Sequence, residues 1–273
     1  MKNTLYRKLI SASLLASLVF CTACNKPDVS EKVRPEHKTA LPEVTSAEDS
    51  DTARSLRSNE LLAYIRNHPD EYPDNLLILA ETYPQTIEYV YNFPRESGYN
   101  HVIDLSGEIT AGEIPYFSQL DARWGYVPYG NGMIGYTGCG PTCLSMVAVY
   151  LTGNPDYSPK YVADFAVDND YCVPGNGSSW DLMAVGCESF GIYSCEIPAV
   201  EEELTLALDS GCPVICIMGP GDFTDEGHFI VITGYTDDGF TVNDPFSEER
   251  SAKVWDSNTI LSQANCIWAF SLQ

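Results

Sequence analysis

Apolar residues recur at helical spacing in the middle of the chain and in short unbroken runs towards its end. Helical spacing between capping signals predicts four helices, over residues 141–151, 159–165, 179–190 and 201–208. Runs of β-branched and aromatic residues then predict four strands, over residues 213–218, 229–235, 240–242 and 267–272. Asp238-Gly239 lies between two of these runs and predicts a hairpin turn. Because helices precede antiparallel strands, residues 101–273 are expected to form an α+β domain of two segregated layers.

A second apolar pattern, over residues 55–100, consists of short runs separated by Tyr-Pro and Phe-Pro breaks. Proline ends helices, so this pattern predicts a small subdomain of two or three short helices. The first helix is expected to begin at the capping signal Ser58-Asn59-Glu60. The segment has no motif that indicates chemistry. We expect a structural subdomain packed against the main body, and a pro-region that blocks an active site is the alternative.

The first 23 residues have the pattern of an export signal. Three basic residues precede an apolar run over residues 9–20, which is too short to span a bilayer as a permanent helix. Small residues then lead to Cys24 and a polar stretch. This resembles a bacterial lipoprotein signal, although Cys21 stands where such signals usually carry leucine. The resemblance implies lipidation of Cys24 and anchoring to the outer face of the bacterial cytoplasmic membrane, with residues 24–54 as a flexible tether. Ordinary secretion after cleavage near Ala23 and an uncleaved anchor are the alternatives.

Composition and charge narrow the classes of partner. The chain has 273 residues, of which 44% are hydrophobic, and this is enough for one large domain or two modest ones. It has 15 basic and 38 acidic residues, a net charge of −23. Without the three basic residues of the signal, the net charge is about −26. Such a chain is repelled by phosphate backbones, so nucleic acid is excluded as a partner, and membrane contact is expected only through the lipid anchor.

The stretch Gly138-Cys139-Gly140-Pro141-Thr142 indicates a reactive thiol. Proline favours the first turn of a helix, so Cys139 should lie at the N-terminus of the helix over residues 141–151. Unpaired N–H groups there stabilise a thiolate, which is the nucleophilic form of cysteine. The flanking glycines leave the sulfur unobstructed. Cys143, one turn further along an apolar face, is expected in the core.

A thiolate used in catalysis needs a base, and the chain has four histidines. His37 lies in the predicted tether and His68 between two short helices, whereas His101 has no distinctive context. His228 opens a strong predicted strand directly after a glycine-containing loop, a place from which a ring can protrude into a cleft. We therefore predict His228 as the general base.

The imidazole in turn needs an acceptor that orients it. The second strand of the predicted hairpin ends in Asn243-Asp244-Pro245, and in a hairpin this end lies near the start of the first strand. Neighbouring strand residues face opposite ways, so either Asn243 or Asp244 can point at His228. We predict Asp244, and a capping role for Asp244 before Pro245 is the alternative.

Taken together, these motifs resemble the papain-like cysteine peptidases related to bacteriocin double-glycine leader peptidases, the peptidase C39-like group. The similarity covers about residues 112–273, and it is greater to the stand-alone exported members than to the transporter-fused ones. The matching blocks lie at residues 114–121, 124–126, 138–142, 227–235 and 243–245. The resemblance implies a papain-like fold in which a helical layer carrying the nucleophile packs on an antiparallel sheet carrying His228 and Asp244. It also implies that Cys139 is the nucleophile and Gln119 the oxyanion donor. No ATP-binding motif accompanies these blocks, so a leader-peptide substrate is not implied.

The function expected is an exported cysteine peptidase that acts on peptides or proteins without a cofactor. A cell-wall peptide amidase or endopeptidase with the same chemistry is an alternative. A non-enzymatic surface protein that binds a partner or a metal is another; Cys139/Cys143 and Cys212/Cys216 are two C-x-x-x-C pairs that could hold the metal. Eight cysteines follow Cys24, and their spacing matches no small disulfide scaffold. The sequence does not indicate an oligomeric state.

Overall fold

The computed structural model describes residues 47–273, with side chains from residue 53 onward. The predicted signal over residues 1–23, the predicted lipidation site Cys24 and most of the predicted tether over residues 24–54 lie outside the described residues. Helix α1 already begins at Ala47, inside the range given to the tether. Among residues 47–273, no helix combines the length and the apolar character needed to cross a bilayer.

The N-terminal part of the described chain is a three-helix subdomain made of α1 (Ala47–Asn67), α2 (Asp74–Thr82) and α3 (Ile87–Glu96). Leu61, Ile65 and Leu76 are buried in a common core with α3. The predicted start at Ser58 is wrong, because α1 passes through this position without interruption. Neither proline nor glycine occurs between residues 47 and 67, so nothing breaks the helix before Ser58.

The helices of the main domain largely match the sequence pattern. The long central helix α5 is flanked by short helices, and Ser158 caps α6 as its Ser-Pro signal predicts. Gly153, with φ 67°, ends α5 in the left-handed conformation that glycine adopts readily. The predicted helix over residues 179–190 is instead α7 followed by a 3₁₀ turn, since Gly186 lies in its middle. The helices are α4 (Ile134–Thr137), α5 (Cys139–Thr152), α6 (Pro159–Asp168), α7 (Asp181–Ala184) and α8 (Glu201–Asp209).

Six antiparallel strands form the main sheet, in the order β5-β10-β6-β7-β8-β9. All four predicted strands are present, and β7 and β8 are joined by the predicted Asp238-Gly239 turn. Two small hairpins, β1–β2 and β3–β4, lie outside this sheet. The strands are β1 (Pro128–Tyr129), β2 (Gly132–Met133), β3 (Cys172–Val173), β4 (Gly177–Ser178), β5 (Ile192–Glu196), β6 (Val214–Met218), β7 (His228–Thr236), β8 (Gly239–Asn243), β9 (Val254–Trp255) and β10 (Ala264–Leu272). Two further short helices, α9 (Glu248–Ser251) and α10 (Ser257–Gln263), lie between β8 and β10.

The sheet is covered by helices on both faces. Ile215 and Ile217 of β6 pack in the same core as α5, whereas the alternate residues of that strand pack with Leu204 of α8 and Ile260 of α10. The structure confirms the α+β class and the helical layer that carries Cys139. The sequence predicted two layers, and it missed the third, small layer that α8 and α10 form on the other face of the sheet.

Candidate active site

Cys139 is the first residue of α5, and Gly138 occupies the N-cap position. Cys139 is partly exposed as a residue, whereas Cys143, one turn further, is fully buried. The backbone N–H groups of Gly140 and Phe229 contribute to lowering the pKa of the Cys139 thiol. Cys139 therefore lies at a helix N-terminus where N–H groups stabilise a negative charge, as the sequence pattern predicts.

The glycines on either side of Cys139 are required by close packing. A Cβ atom on Gly138 would lie 2.6 Å from the carbonyl oxygen of Ile134, and one on Gly140 would lie 2.5 Å from Oγ of Ser178. Ser178 in turn is hydrogen-bonded to the buried hydroxyl of Tyr129 at 2.7 Å. A side chain at either glycine would push the start of α5 away from its neighbours and displace the thiol.

His228 opens β7 and is 7% exposed. Its Nε2 lies 2.7 Å from Oδ1 of Asp244. Its ring also lies near enough to the Cys139 sulfur for each group to shift the pKa of the other. Since Nε2 is engaged by the carboxylate, Nδ1 is the ring atom left for the sulfur. The structure thus brings Cys139, His228 and Asp244 together in one row with His228 in the middle.

Asp244 follows β8 directly and is fully buried. Its Oδ1 also accepts the N–H of Phe246 at 2.9 Å, and its Oδ2 accepts Nε of Arg250 at 2.5 Å. Asn243 faces the other way, where its Nδ2 donates to the carbonyl oxygen of Pro115 at 3.2 Å. Of the two neighbours that the sequence left open, the structure therefore places Asp244 against the imidazole.

The three groups shift one another's pKa values towards an ion pair. Burial alone would raise the pKa of Cys139, but the hydrogen bond and charge of His228 lower it below its usual value. Burial opposes the charged form of His228, yet Asp244 and Cys139 raise the pKa of its ring. Burial would likewise raise the pKa of Asp244, and His228 and Arg250 instead lower it. All three directions favour a thiolate–imidazolium pair over the neutral thiol and imidazole.

Gln119 is buried beside this row, with 2% of its surface exposed. Its backbone N–H donates to the carbonyl oxygen of Pro245 at 2.8 Å, directly after Asp244 in the chain. Its Nε2 donates to the carbonyl oxygen of Gly135 at 3.1 Å, four residues before the nucleophile position. The Gln119 side chain makes no hydrogen bond to Cys139, His228 or Asp244 within residues 47–273. The bond to Gly135 is the one side-chain hydrogen bond of Gln119 among residues 47–273, and an amide nitrogen carries a second N–H that can serve another acceptor.

The remaining described cysteines differ from Cys139. All eight described cysteines, Cys139 included, are free thiols, and burial raises the pKa values of Cys143, Cys172, Cys187, Cys216 and Cys266. The two C-x-x-x-C pairs of the metal-binding alternative recruit no further ligand, since no group of three His, Cys, Asp or Glu residues suited to a metal ion occurs over residues 47–273. Cys139 is therefore the thiol in this part of the chain with the electrostatics of a nucleophile.

Arg250 is a site residue that the sequence analysis missed. It lies in α9, six residues after Asp244, and Ser247 caps that short helix by accepting the N–H of Arg250 at 3.2 Å. The guanidinium compensates the buried charge of Asp244 from the side opposite His228. In the sequence, Arg250 is one arginine in an acidic chain, and nothing next to it indicates which carboxylate it contacts.

Comparison with known proteins finds one matching family and two similar solved structures. Residues 112–269 match the Peptidase_C39 like family. Among solved structures, the chain is similar to a protein from Bacillus anthracis described as a C39-like peptidase, with 15% identity, a TM-score of 0.40, and coverage of 64% of this chain and 99% of that one. It is also similar to the peptidase domain of Streptococcus ComA, a bifunctional ABC transporter involved in a quorum-sensing pathway, with 21% identity, a TM-score of 0.37, and coverage of 50% and 93%.

No curated protein matches the chain at a significant level. The family match nevertheless spans more than half of the chain. It contains all four candidate site residues, which are Gln119, Cys139, His228 and Asp244. The chain belongs to the Peptidase_C39 like family and is a cysteine-type peptidase.

Proposed function

We propose that this chain is an exported, lipid-anchored cysteine peptidase in which Cys139 is the nucleophile, His228 the general acid and base, Asp244 its orienter and Gln119 an oxyanion donor. The observation that carries these roles is the row of Cys139, His228 and Asp244, in which His228 is hydrogen-bonded to the buried Asp244 and lowers the pKa of the neighbouring Cys139 thiol. A nucleophile, a base and an orienting group in contact are the minimum for covalent catalysis of acyl transfer.

In the acylation step, the Cys139 thiolate attacks the carbonyl carbon of the scissile peptide bond and forms a C–S bond. The electron pair of the C=O bond moves onto oxygen, which gives a tetrahedral oxyanion. When the carbonyl re-forms, the C–N bond breaks, and the His228 imidazolium gives its proton to the departing amine. The products are a free amine and a thioester on Cys139, with His228 neutral.

Hydrolysis of the thioester completes the cycle. Neutral His228 removes a proton from water while the water oxygen attacks the thioester carbonyl. The second tetrahedral oxyanion collapses, the C–S bond breaks, and the thiolate and imidazolium form again. Asp244 keeps the ring in position throughout and stabilises its positive charge, a role that its complete burial and its second partner Arg250 support.

Gln119 is assigned to the oxyanion from the family resemblance, and its hydrogen bond to Gly135 leaves a second Nε2–H for that role. The backbone N–H of Cys139 at the start of α5 is the second donor. Donors that are fixed before the reaction stabilise a developing charge without reorganisation, and the loss of one donor typically lowers kcat by about 10²–10³-fold.

The place of action is proposed from the N-terminal segment. A basic start, a short apolar run and Cys24 are the features of a lipoprotein signal, so the peptidase would act on peptides or proteins outside the cytoplasmic membrane. The loop before His228 carries the exposed residues Asp225 and Glu226, and the whole chain is strongly acidic. These charges favour the approach of basic peptides.

The test of the catalytic roles is capture of the thioester. The purified protein is incubated with a mixed peptide library, quenched in acid and digested, and each cysteine is examined by mass spectrometry. We expect an acyl adduct on Cys139 in the wild type and in none of the other thiols, with peptide products that vanish in Cys139→Ala and His228→Ala. Products that persist in Cys139→Ala would refute the proposal. If the wild type released products only from cell-wall peptides, the alternative of a cell-wall peptide hydrolase would be favoured.

A further inference from the structure

The helical subdomain formed by α1, α2 and α3 lies outside residues 112–269, the part that matches the family. Its core nevertheless includes Tyr126 of the main domain, and Leu120, Met133 and Phe246 pack against it. These residues belong to the segments that carry Gln119, precede α5 and follow Asp244. The subdomain therefore touches the surroundings of the candidate site at three points.

Tyr89 of α3 makes the most intimate of these contacts and is 4% exposed. Its hydroxyl donates to the carbonyl oxygen of Gly125 at 2.9 Å. Its ring stacks on Tyr126 with the ring centroids 4.5 Å apart, and the Tyr126 hydroxyl donates back to the carbonyl oxygen of Tyr89 at 2.8 Å. A buried aromatic ring with paired polar groups on both sides has one orientation.

The ring of Tyr89 also fills the space above two glycines. A Cβ atom on Gly135 would lie 2.5 Å from Cζ of Tyr89, and one on Gly125 would lie 3.1 Å from Cε2. For Gly135, the three nearest atoms all belong to Tyr89. Real side chains do not approach so closely, so the packing needs glycine at residue 135 because Tyr89 is present.

These two glycines connect Tyr89 to Gln119. The N–H of Gly135 donates at 2.8 Å to the same carbonyl oxygen of Gly125 that accepts the Tyr89 hydroxyl. The carbonyl oxygen of Gly135 accepts Nε2 of Gln119 at 3.1 Å. A shift of the Gly125–Gly135 pair would therefore turn the Gln119 amide.

We propose that Tyr89 is a positioning residue of the peptidase: through Gly125 and Gly135 it fixes the Gln119 amide in the orientation that donates to the oxyanion. This inference rests on the proposed role of Gln119. It gives the helical subdomain the task of supporting the catalytic apparatus. A pro-region that blocks the site would have the opposite effect, because loosening it would raise turnover.

Two reactions of Cys139 separate positioning of Gln119 from general damage. Hydrolysis of a peptide develops an oxyanion and needs Gln119. Alkylation by iodoacetamide displaces iodide without forming an oxyanion, so it depends on the thiolate and on His228 alone. A positioning defect must therefore lower kcat and leave the alkylation rate of Cys139 unchanged, whereas a merely structural defect changes both.

The experiment measures iodoacetamide alkylation and the hydrolysis of one peptide that the wild type cleaves in the library screen, in the full-length protein for Tyr89→Phe, Gly135→Ala and Gln119→Ala. Tyr89→Phe removes the hydrogen bond to Gly125 with the ring retained, and we expect kcat to fall about fivefold at unchanged KM, the size of one net hydrogen bond. Gly135→Ala forces a clash with Tyr89, and we expect a fall of about 100-fold, close to that of Gln119→Ala. The double variant Gly135→Ala/Tyr89→Leu should recover part of this loss, since the smaller side chain removes the clash.

Tyr72→Phe is the matched control, because Tyr72 is buried in the same core and donates to the carbonyl oxygen of Tyr91 at 3.5 Å, away from both glycines. We expect wild-type kcat for this variant. The inference would be overturned if Tyr89→Phe and Gly135→Ala kept the wild-type kcat or raised it. It would also be overturned if kcat and the alkylation rate of Cys139 fell in parallel in these variants. An inactive wild type, or an active Cys139→Ala variant, would instead refute the proposed function.

Discussion

Arg250→Gln tests whether the guanidinium compensates the buried charge of Asp244. Asp244 is fully buried and its two oxygens are shared by His228 and Arg250. The substitution removes one positive charge and keeps a side chain of similar length. Breaking a buried pair costs about 3–5 kcal/mol when one charge is left alone. Because His228 stays bound to Asp244 and the Arg250 side chain is 17% exposed, we expect a loss of about 2–3 kcal/mol in the free energy of unfolding at pH 7.

The pH dependence of stability predicts the direction in which the substitution shifts acid unfolding. The pKa of Asp244 is lowered in the folded protein, so its contribution to stability is complete above the unfolded pKa and is lost as the pH falls through the folded pKa. Arg250→Gln raises the pKa of Asp244 in the folded protein. The contribution of Asp244 to stability is then smaller, and it is lost at a higher pH. We therefore expect the acid-unfolding midpoint to move upward.

The assay is urea unfolding followed by tryptophan fluorescence at pH 7, together with acid titration of the same signal. Arg66→Gln is the matched control, since it removes the same group from an exposed pair with Glu81 and should leave both midpoints unchanged. An Arg250→Gln variant with wild-type urea and acid midpoints would refute the reasoning, because the charge of Asp244 would then not depend on Arg250.

Three further predictions concern catalysis, substrate and location. Gln119→Ala should lower kcat by about 10²–10³-fold with the alkylation rate of Cys139 unchanged; equal losses in both assays would show that Gln119 acts on folding instead. Basic peptides should be cleaved faster than acidic ones of matched length, and the difference should shrink as salt is added; equal rates that are insensitive to salt would remove electrostatic steering. Wild-type protein from bacterial cells should carry a lipid on Cys24 and partition into detergent, and Cys24→Ser should move to the aqueous phase; detergent partition that survives the substitution would contradict lipid anchoring.

Local sequence signals were sufficient for the elements that carry the nucleophile and the base. Pro141 and Gly153 bracket α5 because both act through the backbone of their own helix. The apolar run of β6 is buried on both faces, and its composition alone indicates a strand. The Asp238-Gly239 turn fixed the pairing of β7 with β8, and this pairing brings Asp244 to His228.

Features that depend on distant contacts could not be predicted in the same way. Tyr89 meets Gly125 across 36 residues, and neither residue has a local pattern that points to the other. Arg250 lies in a four-residue helix whose capping Ser247 is clear only once the chain has turned after Pro245. Gln119 was assigned from the family resemblance, because one glutamine among several has no local signature of a donor. Short edge elements such as β9 owe their conformation to the neighbouring strand and were not predicted.

The measurement that tests the central claim most directly is the rate of iodoacetamide labelling of each cysteine across pH, read by mass spectrometry on the folded protein. Cys195 is an exposed thiol and serves as the internal reference, while Cys139 is only partly exposed. The hydrogen bond and charge of His228 lower the pKa of Cys139, so it should label fastest and keep its rate below pH 8, where ordinary thiols are protonated. His228→Ala should abolish this advantage. Labelling of Cys139 no faster than Cys195, or equally fast in His228→Ala, would contradict the thiolate–imidazolium pair and with it the assignment of this active site.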